Sequence, residues 1–408
     1  MGGEVKRMRA LGALICVGLV TAGCAGTHGV LPPGNGDKLY EAVSTQGSQI
    51  VTVIDSRSHA TERRLPLGVP SRDWSHLYSI SGSSLTDTDP QTGATLSTMV
   101  IPSGYHLPPA TISGVPGGTS PDGRWLVAEA FDTASGTHML LIDTTTSRVA
   151  HRIDLAGHFR FDAISNDGNR LYLIQLLNGK EYYVRLYDVQ TGGLTDNIVV
   201  DKSNGEQSMT GVRLSGVASP DGHWLFSMYV REDGGPFVHA LSLDGPFAFC
   251  LDLPGHGYLS DPAEKQWSLV MNRNGTRVYA VNGATGTIAE IDISNQYQPQ
   301  VTRTVKIATV GSAGAVSGGS VISLDGRTLV TATGSGIVWV DTAHLTAGTR
   351  SLTDWHVSSL GLNPAGRTLY AVRDSGAIAE IAMSSGEVTA RFDPGEGQPL
   401  ALMRVAST

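Results

Sequence analysis

The chain has 408 residues, of which 40% are hydrophobic and 16% charged, and its formal net charge is −8. That balance excludes wholesale disorder and leaves enough apolar surface for a large core. An acidic chain repels phosphate backbones, which excludes nucleic acid as a partner, and 50 glycines without amphipathic helical spacing point to hairpins and turns.

In chain order, the first feature is an export signal. Lys6, Arg7 and Arg9 form a basic segment, and Leu11 to Ala22 is an apolar stretch. The stretch is shorter than the roughly 20 apolar residues a bilayer span needs. It ends in Val20-Thr21-Ala22-Gly23-Cys24. This motif resembles the lipobox of bacterial lipoproteins, with Thr21 standing where that family has Leu or another aliphatic residue. The resemblance implies that the Cys24 thiol is acylated and becomes the mature N-terminus, so residues 1–23 are removed. The protein would then be extracytoplasmic and held on the cell membrane by lipid. Ordinary cleavage after Ala25 would instead release a soluble secreted protein. Taking Lys6, Arg7, Arg9 and Glu4 from the 29 basic and 37 acidic residues leaves 26 and 36, a net charge near −10. Membrane attachment thus falls to the lipid rather than to a basic patch. Residues 24–36, rich in Gly and Pro, read as a flexible tether.

From residue 37 onward one unit recurs: a short apolar run, a Ser-Pro-Asp-Gly-like turn, then a second apolar run. Its clearest copies are Ser120-Pro121-Asp122-Gly123 and Ser219-Pro220-Asp221-Gly222, each followed by a tryptophan. Further copies centre on Gly168, Gly275, Gly326 and Gly366, and two degenerate ones lie at Gly34 to Tyr40 and Ser71 to Tyr78. From Gly123 the marker glycines step by 45, 54, 53, 51 and 40 residues. Asp-Gly supplies the positive φ of a tight turn, and a third strand in each unit ends in Asp before a second polar turn. A period of this length with four short strands predicts an all-β propeller of four-stranded blades, which bury their faces against one another around a ring. Eight markers favour eight blades, with seven the alternative. Pro399 to Val405 has no partner strand after it, so it is expected to complete the blade begun by Lys38 to Val43. The turns resemble the YVTN and WD40-like repeats of bacterial extracytoplasmic propellers, a likeness that covers residues 36–408 and implies a fold but no function.

The units also predict where ligands could gather. The Asp-Gly turns share one face, and their Asp residues are expected to be turn formers. On the opposite face, connections between blades carry His106, His158, His256 and His356, with Arg160, Asp162, Tyr258, Asp261 and Trp355 close by in sequence. These nine residues are the candidate lining of an axial mouth. Imidazoles gathered there could ligate a divalent metal or act as bases, although no cofactor is assigned. Trp355 is the one tryptophan expected at the surface, and the other five are expected between blades. Cys250, in an apolar run, is expected to be a buried structural thiol, and no disulfide framework exists. Asp87-Thr88-Asp89 reads as a hairpin end rather than a calcium loop. No Gly-x-Ser-x-Gly, His-Glu-x-x-His or Walker motif is present. The expected function is a monomeric, non-enzymatic envelope lipoprotein whose propeller face binds an unidentified envelope protein or a small ligand. The alternative is an enzyme, a lactonase-like hydrolase or a metal-dependent oxidoreductase, with its site at the axial mouth.

Overall fold

The computed structural model describes residues 36–110, 115–131, 136–201, 208–295, 298–309 and 319–407. The expected export signal, Cys24 and all of the expected tether except Gly36 lie outside them. The described residues belong to one compact unit, residues 32–408, and form eight sheets arranged as the blades of a β-propeller. Their only helix is a single 3-10 turn, Pro262–Lys265.

Each blade runs from an innermost strand outward, as in blade 4, where Phe159–Ile164 pairs with Arg170–Leu176, then Glu181–Asp188, then Gly193–Ile198. The ring closes as expected. Gln398–Ala406 is the innermost strand of blade 1 and pairs with Lys38–Thr45, setting Leu39 against Val405. The first and last strands of the chain therefore share a ladder, which closes the ring.

The core is distributed rather than central. Eight hydrophobic clusters occur, one in each interface between successive blades. The cluster between blades 5 and 6, for example, joins Trp224, Phe226 and Met228 to Trp267, Val278 and Ala280. Strand alternation explains this. Within a blade, successive residues face opposite neighbours, and both faces need apolar side chains, so the strands read as nearly unbroken hydrophobic runs.

The marker turns do more than reverse the chain. In the seven that lie among the described residues, a Ser or Asn side chain accepts a backbone N–H five residues on, as Ser120 Oγ does from Trp125 at 3.0 Å. The Asp side chain accepts from Ser Oγ and from the residue after Gly, as Asp122 does. The Asp residues are turn formers, as expected. Trp74 takes the glycine's place in the degenerate copy, with φ 61°. Adjacent turns also touch. Asp122 N–H donates to Asn166 Oδ1 at 2.9 Å, and the Trp125 indole N–H donates to Asn166 O at 3.1 Å. Tyr370 and Asn363 both donate to Asp37 Oδ2, at 2.9 and 3.0 Å, which ties the last blade to the first. This turn face is a belt of interblade hydrogen bonds.

Blade 3 departs from the pattern. Its sheet has three strands, Trp125–Phe131, Gly136–Asp143 and Arg148–Ala156. The innermost strand is reduced to isolated bridges, His106 with Glu129 at one end and Thr119 with Leu126 at the other. Between them residues 107–110 and 115–117 are off the ladder, joined by a bridge between Pro109 and Pro116. Pro108, Pro109 and Pro116 have no N–H to give to a sheet, so this stretch cannot run as a regular strand. Gly118 is required at the return. It sits at φ 110°, and a Cβ there would meet Val127 O at 2.7 Å.

Candidate functional site

The interrupted strand sets the shape of the axis. The inner strands of blades 5, 6, 7, 8 and 1 pack neighbour against neighbour, joined by contacts such as Ser268 Oγ to Ser320 Oγ at 2.8 Å. On the other side, blades 2 to 5 stand around two cavities. One, of about 320 Å³, is lined by Pro70 and Arg72 of blade 2, Pro109, Gly117 and Gly118 of blade 3, Asp162 and Ile164 of blade 4, and Arg213 and Gly216 of blade 5. At the turn face Arg72 reaches across the ring, its Nη2 donating to Pro220 O of blade 5 at 2.9 Å. The second cavity, of about 190 Å³, lies toward the connection face and is lined by Glu129, Arg160, Phe161, Asp162, Leu176, Tyr182, Arg213 and Tyr229 among others. Pro109, Phe161, Asp162 and Arg213 line both.

Asp162 and Arg213 form the waist between the two. The Arg213 Nη1 donates to Asp162 Oδ1 at 2.9 Å, and Asp162 is only 4% exposed. Deleting either partner would leave a buried charge uncompensated, so the pair fixes blades 4 and 5 together while presenting no net charge. Glu129 comes from the second strand of blade 3 and has no solvent exposure. Its Oε2 accepts the Phe161 N–H of blade 4 at 3.1 Å. Its Oε1 has no hydrogen-bond partner and lies 3.6 Å from His106 Nε2. Burial pushes the Glu129 carboxyl above its ordinary range, against the opposing pull of the Phe161 N–H, His106 and Arg160. Burial likewise raises the Tyr182 and Tyr229 phenols, which stay neutral. The Arg160 guanidinium sits 5.1 Å above the Phe131 ring, and no carboxylate among the described residues pairs with it. The lining therefore holds a buried acid whose carboxyl is raised by burial, a compensated ion pair, and two guanidinium groups, Arg72 and Arg160, with no ion-pair partner among the described residues.

The nine residues singled out from the sequence fall into three groups. Arg160 and Asp162 line the cavities, and His106 touches Glu129 from outside. His158, His256 and His356, expected at an axial mouth, are exposed and line neither cavity. Among the described residues no three His, Cys, Asp or Glu side chains come together in a group that could hold a metal ion. Tyr258 and Asp261 belong to the connection into blade 6. The Tyr258 hydroxyl donates to Glu232 Oε1 at 3.3 Å beneath Lys265, and Asp261 caps the 3-10 turn by accepting the Ala263 N–H at 3.0 Å.

Trp355 is a correction. Instead of lying at the surface it is 4% exposed, packed with Leu352, Val357 and Leu369 and flanked by the Arg373 and Arg391 guanidinium groups. An indole has too much apolar area to leave in water when a blade interface is next to it, and His356 takes the solvent side instead. Cys250 is buried as expected, its Sγ 3.6 Å from His239 Nδ1. Asp89 accepts the Gln91 N–H at 2.7 Å, the hairpin-end role anticipated for that motif.

Sequence reasoning missed Glu129 and Arg213. Each lies inside a regular strand, where nothing local distinguishes it. One signal was available: Pro102, Pro108, Pro109 and Pro116 fall where an innermost strand should run, and they mark the blade that opens the axis.

No family model matches the chain, and no curated protein matches it. Among solved structures it is similar to the dihydro-heme d1 dehydrogenase NirN in complex with DHE, at 16% identity over 89% of this chain and 74% of that one, with a TM-score of 0.55. It is also similar to apo AztD from Citrobacter koseri, at 13% identity over 91% and 97% of the two chains, again with a TM-score of 0.55. At such identities the likeness is one of fold, and it agrees with the propeller described above.

Proposed function

We propose that the protein is an exported, lipid-anchored propeller that holds a small ligand in its axial cavities without acting chemically on it. The observation that carries this reading is the break in the innermost strand of blade 3. It leaves concave space at the axis between blades 2 to 5, around a buried acid, an ion pair and a guanidinium with no ion-pair partner among the described residues. Concave space with a few convergent polar groups favours a small ligand over a protein partner, which would use the flatter rim. The fold is compatible with such a role, since NirN was solved with DHE bound.

Gly216 offers a direct test. It is exposed on the inner strand of blade 5, and a Cβ there meets only ordinary contacts, Phe226 O and Ser227 Oγ at 3.5 Å. The double variant Gly216→Phe/Leu176→Trp should therefore fold while filling the larger cavity and, through the exposed Leu176, the smaller one. The full chain in lipid nanodiscs is heated with a panel of small carboxylates, sugars, nucleosides and aromatic alcohols. At least one class should raise the melting temperature of the wild type and not of the variant. Equal shifts in both proteins, or none in the wild type, would remove the reading. Anchoring is tested separately: Cys24→Ser should move the protein from the membrane fraction to the soluble fraction, and unchanged sedimentation would refute the lipid.

A second reading has one observation in its favour. A raised Glu129 carboxyl 3.6 Å from an imidazole is a workable acid–base pair. Turnover of a compound that binds, abolished by Glu129→Gln with binding retained, would establish an enzyme instead.

A further inference from the structure

Resting on the ligand-site reading above, we infer that the cavity between blades 3, 4 and 5 takes an apolar organic anion, with its anionic head against Arg160 and its body among Phe161, Ile174 and Leu176. The charges around the cavity decide the sign. Asp162 and Arg213 neutralise each other at 2.9 Å. Glu129 is buried beyond solvent and keeps its proton more readily than an ordinary carboxyl, and the two tyrosines are neutral. Arg160, which acts on Glu129 only at longer range, is left as the one cation of this cavity with no carboxylate at ion-pair distance among the described residues. A guanidinium offers a planar fork of donors suited to a carboxylate, and hydrogen bonds between charged partners are about twice as strong as neutral ones.

The walls decide the rest of the ligand. Apart from Glu129, the Asp162–Arg213 pair and Arg160, the side chains are Pro109, Phe161, Ile174, Leu176 and the rings of Tyr182 and Tyr229. A sugar would leave most of its hydroxyls unpaired against such a surface. Among the described residues a divalent cation has no cluster of ligands to hold it. Four of the eight large hydrophobic side chains exposed among the described residues, Phe131, Leu176, Leu177 and Val212, stand at the connection-face ends of these same three blades. An apolar rim of this kind leads a hydrophobic body toward the cavity. The partnerless Glu129 Oε1 supplies one further polar contact, for a ligand oxygen near the head group.

The probes are benzoate, phenylacetate and 3-phenylpropionate together with the three corresponding amides, titrated calorimetrically into the full chain in nanodiscs, with empty nanodiscs as the blank. The amides keep the shape and remove the charge. At least one acid should bind tenfold or more tightly than its amide. Arg160→Gln, at an exposed position, should weaken that acid tenfold or more while leaving the amide within twofold, and Arg160→Lys should restore part of the loss. Amides that bind as well as acids, or acids indifferent to Arg160→Gln, would overturn the inference of charge and leave a ligand site in place. If neither series binds, the ligand class is wrong, and the broader panel against Leu176→Trp, a change at an exposed residue lining this cavity, then decides whether the cavity is a site at all.

Discussion

Single residues in this ring carry consequences that depend on where the fold buries them. Glu41, in the second strand of blade 1, is 1% exposed and its Oε1 has no hydrogen-bond partner. Burial, with Asp393 and Glu396 nearby, raises its carboxyl to about 8. Unfolded, the same group releases its proton near the ordinary carboxyl value, so between about pH 4.5 and pH 8 the folded protein binds more protons than the unfolded one. Stability from this group is thus complete at acid pH, falls as pH rises through that window, and is lost above about pH 8. At roughly 1.4 kcal/mol per pKa unit the loss amounts to a few kcal/mol. Glu41→Gln should match the wild-type melting temperature near pH 5 and exceed it by a few degrees near pH 8. Parallel pH profiles of the two proteins would show that Glu41 ionises freely. Residues of this kind are illegible in sequence, because Glu41 sits in an ordinary strand and acquires its environment only when Gln398–Ala406 returns to pair with it. Arg160 and Asp162 were legible for the opposite reason: both follow directly on a blade connection, and the repeat located those connections.

At the scale of elements, the marker turn is the unit that was read most fully from sequence, and the structure adds a second task to it. Gly168 supplies the positive φ, 73°, that the turn needs, and a Cβ at that position would come within 2.3 Å of the Trp125 indole of the preceding blade. Gly82 also has a positive φ, 60°, but a Cβ there meets nothing. Gly82→Ala should therefore cost only the backbone strain of about 1 kcal/mol, whereas Gly168→Ala should cost at least about 1 kcal/mol more because a packed indole must shift. Urea unfolding of both variants measures the difference, and equal costs would mean that the turns do not lock successive blades. The innermost strand of blade 3 was the element that could not be read. The repeat predicts a strand there, the prolines forbid it, and only the structure shows that Pro109, Ala110 and Gly117 line the axis.

For the whole molecule, eight interfaces each hold their own apolar cluster, so stability is spread around the ring while one sector is opened for polar groups. The repeat period, the eight units and the closing strand could all be read from the chain because they follow from local spacing. The axial cavities could not, since their lining comes from blades 2, 3, 4 and 5 and depends on pairings between residues far apart in sequence, such as Asp162 with Arg213. Chains with this little identity to known propellers reveal their architecture before their site for that reason. The most direct measurement is a crystal structure of the protein grown with whichever phenyl carboxylate binds it most tightly. The carboxylate is predicted to lie within hydrogen-bonding distance of the Arg160 guanidinium, with the ring between Phe161 and Leu176. Density for the acid on the turn face or at the outer strands, with the axial cavities occupied by water alone, would contradict the account.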